Sequence, residues 1–275
     1  MCGRYANARR RQDLLDAFDV EQDTTPEELP PDYNVAPTKP VYTVLERSRD
    51  DTVTRELHVA RWGLVPSWAK DPGIGSRLIN ARVETVAEKP AFRRAFAKRR
   101  CLLPADGYYE WYASEGGEKT AAGLSAPPTK AGKPKKQPFY IHPDDDGMLA
   151  FAGLYELWRD PSREGDDAWL WSCTIITTDA PDDLGRIHDR MPMVIRPDRW
   201  DAWLDARRTD ADELRALLAP AMATGGDTGR LVAYPVSTEV NNVRNNGPEL
   251  REPLPAEGEA PAPEPEKTAD GDALF

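Results

Sequence analysis

Met148-Leu149-Ala150-Phe151-Ala152-Gly153-Leu154-Tyr155-Glu156-Leu157-Trp158 and Trp169-Leu170-Trp171-Ser172-Cys173-Thr174-Ile175-Ile176-Thr177 are two runs dominated by apolar side chains, and each reads as a long core strand. Working outward, Phe139–His142, Gly107–Tyr112 and Cys101–Pro104 read as strands on the N-terminal side. Thr52–Arg61 alternates and pairs through a hairpin turn at Asp50-Asp51 with a strand near Val41–Glu46. On the C-terminal side, Met193–Ile195 and Leu231–Val236 read as strands. Helical spacing of Leu14, Leu15 and Phe18 predicts a short amphipathic helix within residues 9–19. Further helices are predicted after Asn80, read as an N-cap with Glu84 nearby, over Ala91–Arg99, from Pro197 to Ala206 and over Asp210–Leu218. Strands and helices intersperse without regular βαβ alternation, so the class is α+β rather than doubly wound. Residues 113–137 are rich in Gly, Ser, Pro, Lys and Ala and read as a flexible inserted loop. The chain beyond Gly247 is Pro- and Glu-rich, and residues 251–275 are expected to be a disordered acidic tail.

The 275 residues, 40% of them hydrophobic, suffice for a sizeable core. No apolar run approaches the ~18 residues that cross a bilayer, and no signal-peptide pattern follows Met1. A soluble, cytoplasmic protein without membrane association is expected. The three cysteines, Cys2, Cys101 and Cys173, are widely spaced with no CxxC pair, which argues against a disulfide framework and against a zinc site; no metal is expected. Net charge is −11, unevenly spread: residues 1–100 carry 18 basic and 15 acidic side chains, and the remainder 18 and 32. An acidic surface poor in Lys fits a high-salt cytoplasm, so a halophilic source is expected and the acidity need not describe the ligand.

Cys2 is the residue with the most distinctive chemistry. Once Met1 is removed, the chain begins with a thiol and an α-amine on one carbon. The amine titrates near ~8 and the thiol near ~8.5, so both are partly nucleophilic at neutral pH. Such an aminothiol condenses with an aldehyde to an imine and closes a thiazolidine ring. The bland alternative is a small hydrophobe at a frayed end.

Four stretches carry more polar detail than packing requires: Cys2-Gly3-Arg4-Tyr5, Asn80-Ala81-Arg82-Val83-Glu84-Thr85, Ala105-Asp106-Gly107-Tyr108-Tyr109-Glu110-Trp111 and Ile187-His188-Asp189-Arg190-Met191-Pro192. With Asn34-Val35-Ala36-Pro37, Trp62-Gly63-Leu64-Val65-Pro66-Ser67-Trp68, Phe151–Glu156, Pro235-Val236-Ser237 and Asn241-Asn242, the set resembles the SRAP (SOS response-associated peptidase) family from Met1 to about Leu250. The resemblance implies one SRAP-type domain over residues 1–250, with a mixed, barrel-like β core flanked by short helices. It also implies a sensor of abasic sites, in which the mature N-terminal cysteine forms a thiazolidine with the ring-opened aldehyde in single-stranded DNA and shields it during repair. The family name further implies autocatalytic removal of Met1, and imine chemistry at the α-amine implies weak strand cleavage by β-elimination. No cofactor is implied, and a monomer is expected.

On that reading Cys2 is the nucleophile. Glu110 moves protons during imine formation, and His188, with an ordinary pKa near ~6.5, protonates the sugar ring oxygen. Asn80 is an amide donor that holds the opened sugar or the N-terminus, where the bland reading is only a helix cap. Arg4, Arg82 and Arg190 suit phosphate oxygens, against solvated salt bridges as the bland reading. Trp68 and Pro37 suit stacking or wedging against bases, and Thr177 is placed at the site as a hydrogen-bonding group. The run Arg93, Arg94, Lys98, Arg99, Arg100 is either a solvated face or an extension of the DNA groove. In high salt, phosphate contacts gain little from counterion release, so reliance on the covalent bond and on stacking is expected. Ala273-Leu274-Phe275 loosely resembles the apolar end of a sliding-clamp peptide, with a frayed tail the preferred reading. Two other classes stay open from the residues: an N-terminal nucleophile hydrolase or amidotransferase, and a non-catalytic nucleic-acid binding module.

Overall fold

In chain order the strands are β1 (Tyr5–Asn7), β2 (Gln22–Asp23), β3 (Asp32–Val35), β4 (Pro40–Arg49), β5 (Thr52–Trp62), β6 (Asn80–Arg82), β7 (Arg100–Ala105), β8 (Gly107–Ala113), β9 (Lys136–Pro143), β10 (Leu149–Arg159), β11 (Trp169–Asp179), β12 (Arg190–Pro192) and β13 (Leu231–Pro235). Among the described residues, helices α1 (Arg11–Ala17), α2 (Arg93–Lys98), α3 (Trp200–Leu204) and α4 (Ala211–Ala223) flank them. The structure is a computed structural model that describes residues 2–49, 52–113, 136–181, 184, 186–223 and 230–255.

The two apolar runs become β10 and β11, paired antiparallel from Gly153 opposite Ile175 to Arg159 opposite Trp169. Strands β5, β4, β7, β10 and β11 pair in that order. A short parallel pairing of β11 with β5, with Cys173 opposite Trp62, closes them into a five-strand barrel. Alternation along each strand divides the core in two. Leu103, Phe151, Cys173 and Ile175 pack in a cluster with Cys2, Tyr5 and Trp62. Leu102, Ala152, Leu154 and Ile176 face the other way, against Leu14 of α1, Phe96 of α2, Trp203 of α3 and Leu214 of α4. The helices therefore cover the outside of the barrel.

A second, antiparallel sheet runs β13-β9-β8-β1-β3. It is fastened to the barrel by aromatic side chains: the Tyr5 ring meets Trp62 at 5.3 Å and Phe151 at 5.8 Å, both edge-on. Gly63 has φ +127°, and a Cβ there would lie 2.6 Å from the Gly75 carbonyl oxygen, so the Trp62-Gly63 turn demands glycine.

Three expectations are corrected. Asn80 does not cap a helix. It begins β6, whose backbone pairs parallel with β11, Asn80 opposite Ile175, and this pairing overrides the local capping signal. The strand near residue 190 is Arg190–Pro192 rather than Met193–Ile195, because Thr177–Asp179 offers a free edge there. The segment beyond Gly247 is built into the fold as far as Pro255: Leu250 is buried, Val236 bridges Pro253, and the Leu254 amide donates to the Pro235 carbonyl at 2.9 Å. The Asp50-Asp51 turn, residues 114–135 of the insertion, and residues 256–275 with Ala273-Leu274-Phe275 lie outside the described residues.

Candidate active site

Cys2 precedes β1, which is hydrogen-bonded between β3 and β8. That placement buries Cys2 completely, with its Sγ 3.9 Å from the Arg4 carbonyl oxygen. The Asn80 side-chain amide donates to the Cys2 carbonyl at 2.7 Å. β6 supplies this amide because its pairing with β11 fixes Asn80 beside the first residues of the chain.

Glu110 lies on β8, buried to 3% exposure. Burial pushes its carboxyl up to about 7, against the opposing pull of the chain's positive amino terminus. The Asp189 charge pushes in the same direction as burial. The Cys2 thiol is raised further still, first by burial and then by the Glu110 charge, while the amino-terminal charge works the other way. His188 is half-buried in the loop before β12. Its Nδ1 lies 3.0 Å from the Arg190 amide and 3.0 Å from Asp189 Oδ1. Burial, followed by the amino-terminal charge, lowers the His188 pKa, and Asp189 offsets part of that. The ionisation of all three groups thus responds to the charge at the chain's amino terminus.

The arginines separate into two kinds. Arg190 is largely buried and already committed: it donates to both Glu84 oxygens at 2.7 and 3.1 Å, to Asp179, and to the Thr177 carbonyl at 2.7 Å. Burial alone would lower its pKa, but the two carboxylates outweigh it. Thr177 is fully buried, and its carbonyl also accepts from the Val83 amide at 3.0 Å. Arg4 donates from Nη1 to Asn34 Oδ1 and to the Val240 carbonyl, each at 2.7 Å, with its guanidinium 5.7 Å from the centre of the Trp111 ring. Arg82, by contrast, is exposed on β6. Pro37 is half-buried after β3, and Trp68 is 61% exposed on a turn closed by the Ala69 amide to the Pro66 carbonyl. The basic run is also divided. Arg93, Arg94 and Lys98 are exposed. Arg99 pairs with Glu156 at 2.8 Å, and Arg100 is buried, donating to the carbonyls of Phe96, Ala97, Trp203 and Asp205.

Residues with no sequence-derived role also belong to the site. Asp189 adds its charge to the surroundings of His188 and Glu110, behind burial and the amino-terminal charge. Trp111, inside a quoted motif, anchors its Nε1 on Asn241 Oδ1 at 2.7 Å beneath Arg4. Asn34 is fully buried and joins two motifs, donating to the carbonyls of Val240, Asn242 and Asn245. Polar residues recurring in fixed motifs were the available signal.

Residues 1–243 match the family described as SOS response associated peptidase (SRAP). The abasic site processing protein YoqW of Bacillus subtilis is 39% identical over 252 residues, covering 92% of this chain and 99% of its own. The abasic site processing protein HMCES of Xenopus tropicalis is 31% identical, covering 90% and 77%. A crystal structure of a protein from Bacteroides thetaiotaomicron superposes with a TM-score of 0.71 over 92% of this chain and 100% of its own, at 24% identity, which speaks to the fold. The chain belongs to the SRAP family.

Proposed function

We propose that this protein captures abasic sites in single-stranded DNA by forming a thiazolidine between its mature N-terminal Cys2 and the aldehyde of the ring-opened sugar. The observation that carries the reading is the 2.7 Å bond from Asn80 to the Cys2 carbonyl, which fixes the aminothiol residue beside a buried carboxyl that titrates near neutrality. Abasic-site processing is also what the names of the relatives state.

The steps follow from the groups present. His188 in its protonated form, a stronger acid than ordinary because its pKa is lowered, gives its proton to the sugar ring oxygen as the bond from that oxygen to the anomeric carbon breaks, and the anomeric hydroxyl loses its proton to solvent to leave the aldehyde. The α-amine, freed by removal of Met1, adds to the aldehyde carbon. Glu110, in its protonated form, helps expel the hydroxyl as water and leaves an iminium. The Cys2 sulfur then bonds to the same carbon, giving its proton to Glu110 as the iminium π pair returns to nitrogen. Aldehyde and aminothiol combine with the net loss of one water. Exposed Trp68 offers a face for a base, Arg82 offers an exposed cation, and half-buried Pro37 offers an apolar edge. The acidic chain relies on this covalent bond and on stacking rather than on phosphate attraction in high salt. Glu110 and Cys2 also serve autocatalytic removal of Met1, and the imine permits slow β-elimination.

Intact-mass spectrometry of protein incubated with abasic single-stranded DNA tests this reading. The expected adduct has the summed mass of DNA and the Met1-free chain less one water. Ammonia release from glutamine without an adduct would instead indicate an amidotransferase. Binding without any mass change would indicate a simple binding module.

A further inference from the structure

Tyr108 is a buried residue of the cluster that holds Cys2, and packing alone does not explain its hydroxyl. It lies two residues before Glu110 on β8, so both side chains leave the same face of the strand. Its ring belongs to the same buried cluster as Cys2 and meets Phe151 edge-on at 6.2 Å. Its hydroxyl is also buried and makes no hydrogen bond among the described residues. Phenylalanine would fill this volume without enclosing a hydroxyl that lacks a partner, an arrangement that folded proteins seldom keep. Burial, reinforced by the ionisable groups of Cys2 and Glu110, holds the phenol's pKa far up, so its O–H keeps its proton and remains a donor. Cys2 has the complementary need. Burial and the Glu110 charge oppose its thiolate, and the Arg4 carbonyl next to its sulfur is an acceptor that cannot stabilise an anion.

Building on the cross-linking reading above, we propose that Tyr108 is a positioning residue for ring closure, its O–H donating a hydrogen bond to the Cys2 sulfur as that sulfur becomes a thiolate. In this step the thiol proton passes to the Glu110 carboxylate, the sulfur lone pair forms the S–C bond, and the iminium π pair moves to nitrogen. Tyr108 keeps its proton throughout, and no oxidant or further reactant enters.

The test is the pH–rate profile of cross-linking to abasic single-stranded DNA for Tyr108→Phe beside wild type, with the thermal midpoint of each. The variant should be at least as stable, because an unpaired buried hydroxyl has been removed. It should cross-link about tenfold more slowly near pH 7, as expected for losing a charge-assisted hydrogen bond. The ratio of variant to wild-type rate should return to unity when borohydride traps the imine, because Tyr108 acts only at ring closure. Superimposable profiles would overturn the proposal. So would an equal deficit in imine trapping, which is what altered packing gives. Should Tyr108→Phe fold poorly, Tyr108→Met removes the same hydroxyl and is read by the same ratio. If wild type itself forms no adduct, the functional reading falls first and this inference with it. A wild-type adduct with an unchanged variant removes this inference alone.

Discussion

The side-chain amide of Asn80 donates to the backbone carbonyl of Cys2 across 2.7 Å, joining residues 78 positions apart. The bond restrains the residue proposed to react without touching its thiol. Asn80→Ala should therefore slow cross-linking by about tenfold while costing only about 1 kcal/mol of stability, the usual worth of one such bond. Asn80→Asp should be slower still, because a carboxylate faces the carbonyl with no hydrogen to offer. Single-turnover cross-linking rates and denaturant titrations check both.

Glu110, raised to about 7, predicts a pH dependence with a definite sign. An unfolded glutamate titrates near ~4.3, so between that value and about 7 the folded chain holds a proton that the unfolded chain has lost. Stability contributed by this group is thus present at low pH and lost as pH rises through about 7. The span corresponds to at most about 4 kcal/mol. Glu110→Gln should abolish this portion of the slope, and should stabilise the protein at pH 8 more than at pH 5, while nearly eliminating cross-linking. Thermal midpoints across pH measure the first effect.

Arg190 is held by Glu84 and by Asp179, whose side chain is 82% exposed. These carboxylates occupy the guanidinium that the sequence reading assigns to a DNA phosphate. Asp179→Asn should raise the affinity of a Cys2→Ala background for single-stranded DNA several-fold at low salt, read by fluorescence anisotropy. Arg190→Ala should cost about 1–2 kcal/mol without any DNA present, because the Thr177 carbonyl loses a buried donor.

Trp68 exposes most of its ring on an anchored turn. Trp68→Ala should leave the thermal midpoint unchanged and weaken non-covalent DNA binding by about 1–3 kcal/mol, the range for one base–aromatic stack. Cys2→Ala should bind single-stranded DNA weakly at molar salt. Tight binding under those conditions would contradict the reliance on covalent capture.

Much of the α+β layout was readable from the apolar runs at 148–158 and 169–177, whose alternation survives as the inner and outer faces of the barrel. Cys2, Glu110 and His188 stood out as candidates because the chemistry proposed for them depends on residue type and motif. Asn80 was misread in its local structure, since a cap signal spans a few residues while its pairing with Ile175 spans ninety-five positions. Arg190 looked like a phosphate ligand because nothing in sequence places Glu84 beside it. Tyr108 and Trp111 stood inside a recognised motif, yet only the pleat of β8 shows which of them shares the Glu110 face. The segment from Gly247 to Pro255 read as disordered because Leu250 alone supplies its buried apolar anchor.

On the proposed reading the mature N-terminus, rather than the cysteine side chain alone, captures the lesion. The most direct measurement is a denaturing gel of protein mixed with single-stranded DNA carrying one abasic site. A slow-migrating band is predicted for the Met1-free protein, absent for Cys2→Ala and for DNA without the lesion. A band of equal strength from Cys2→Ala, or none from the mature wild type, would contradict the account.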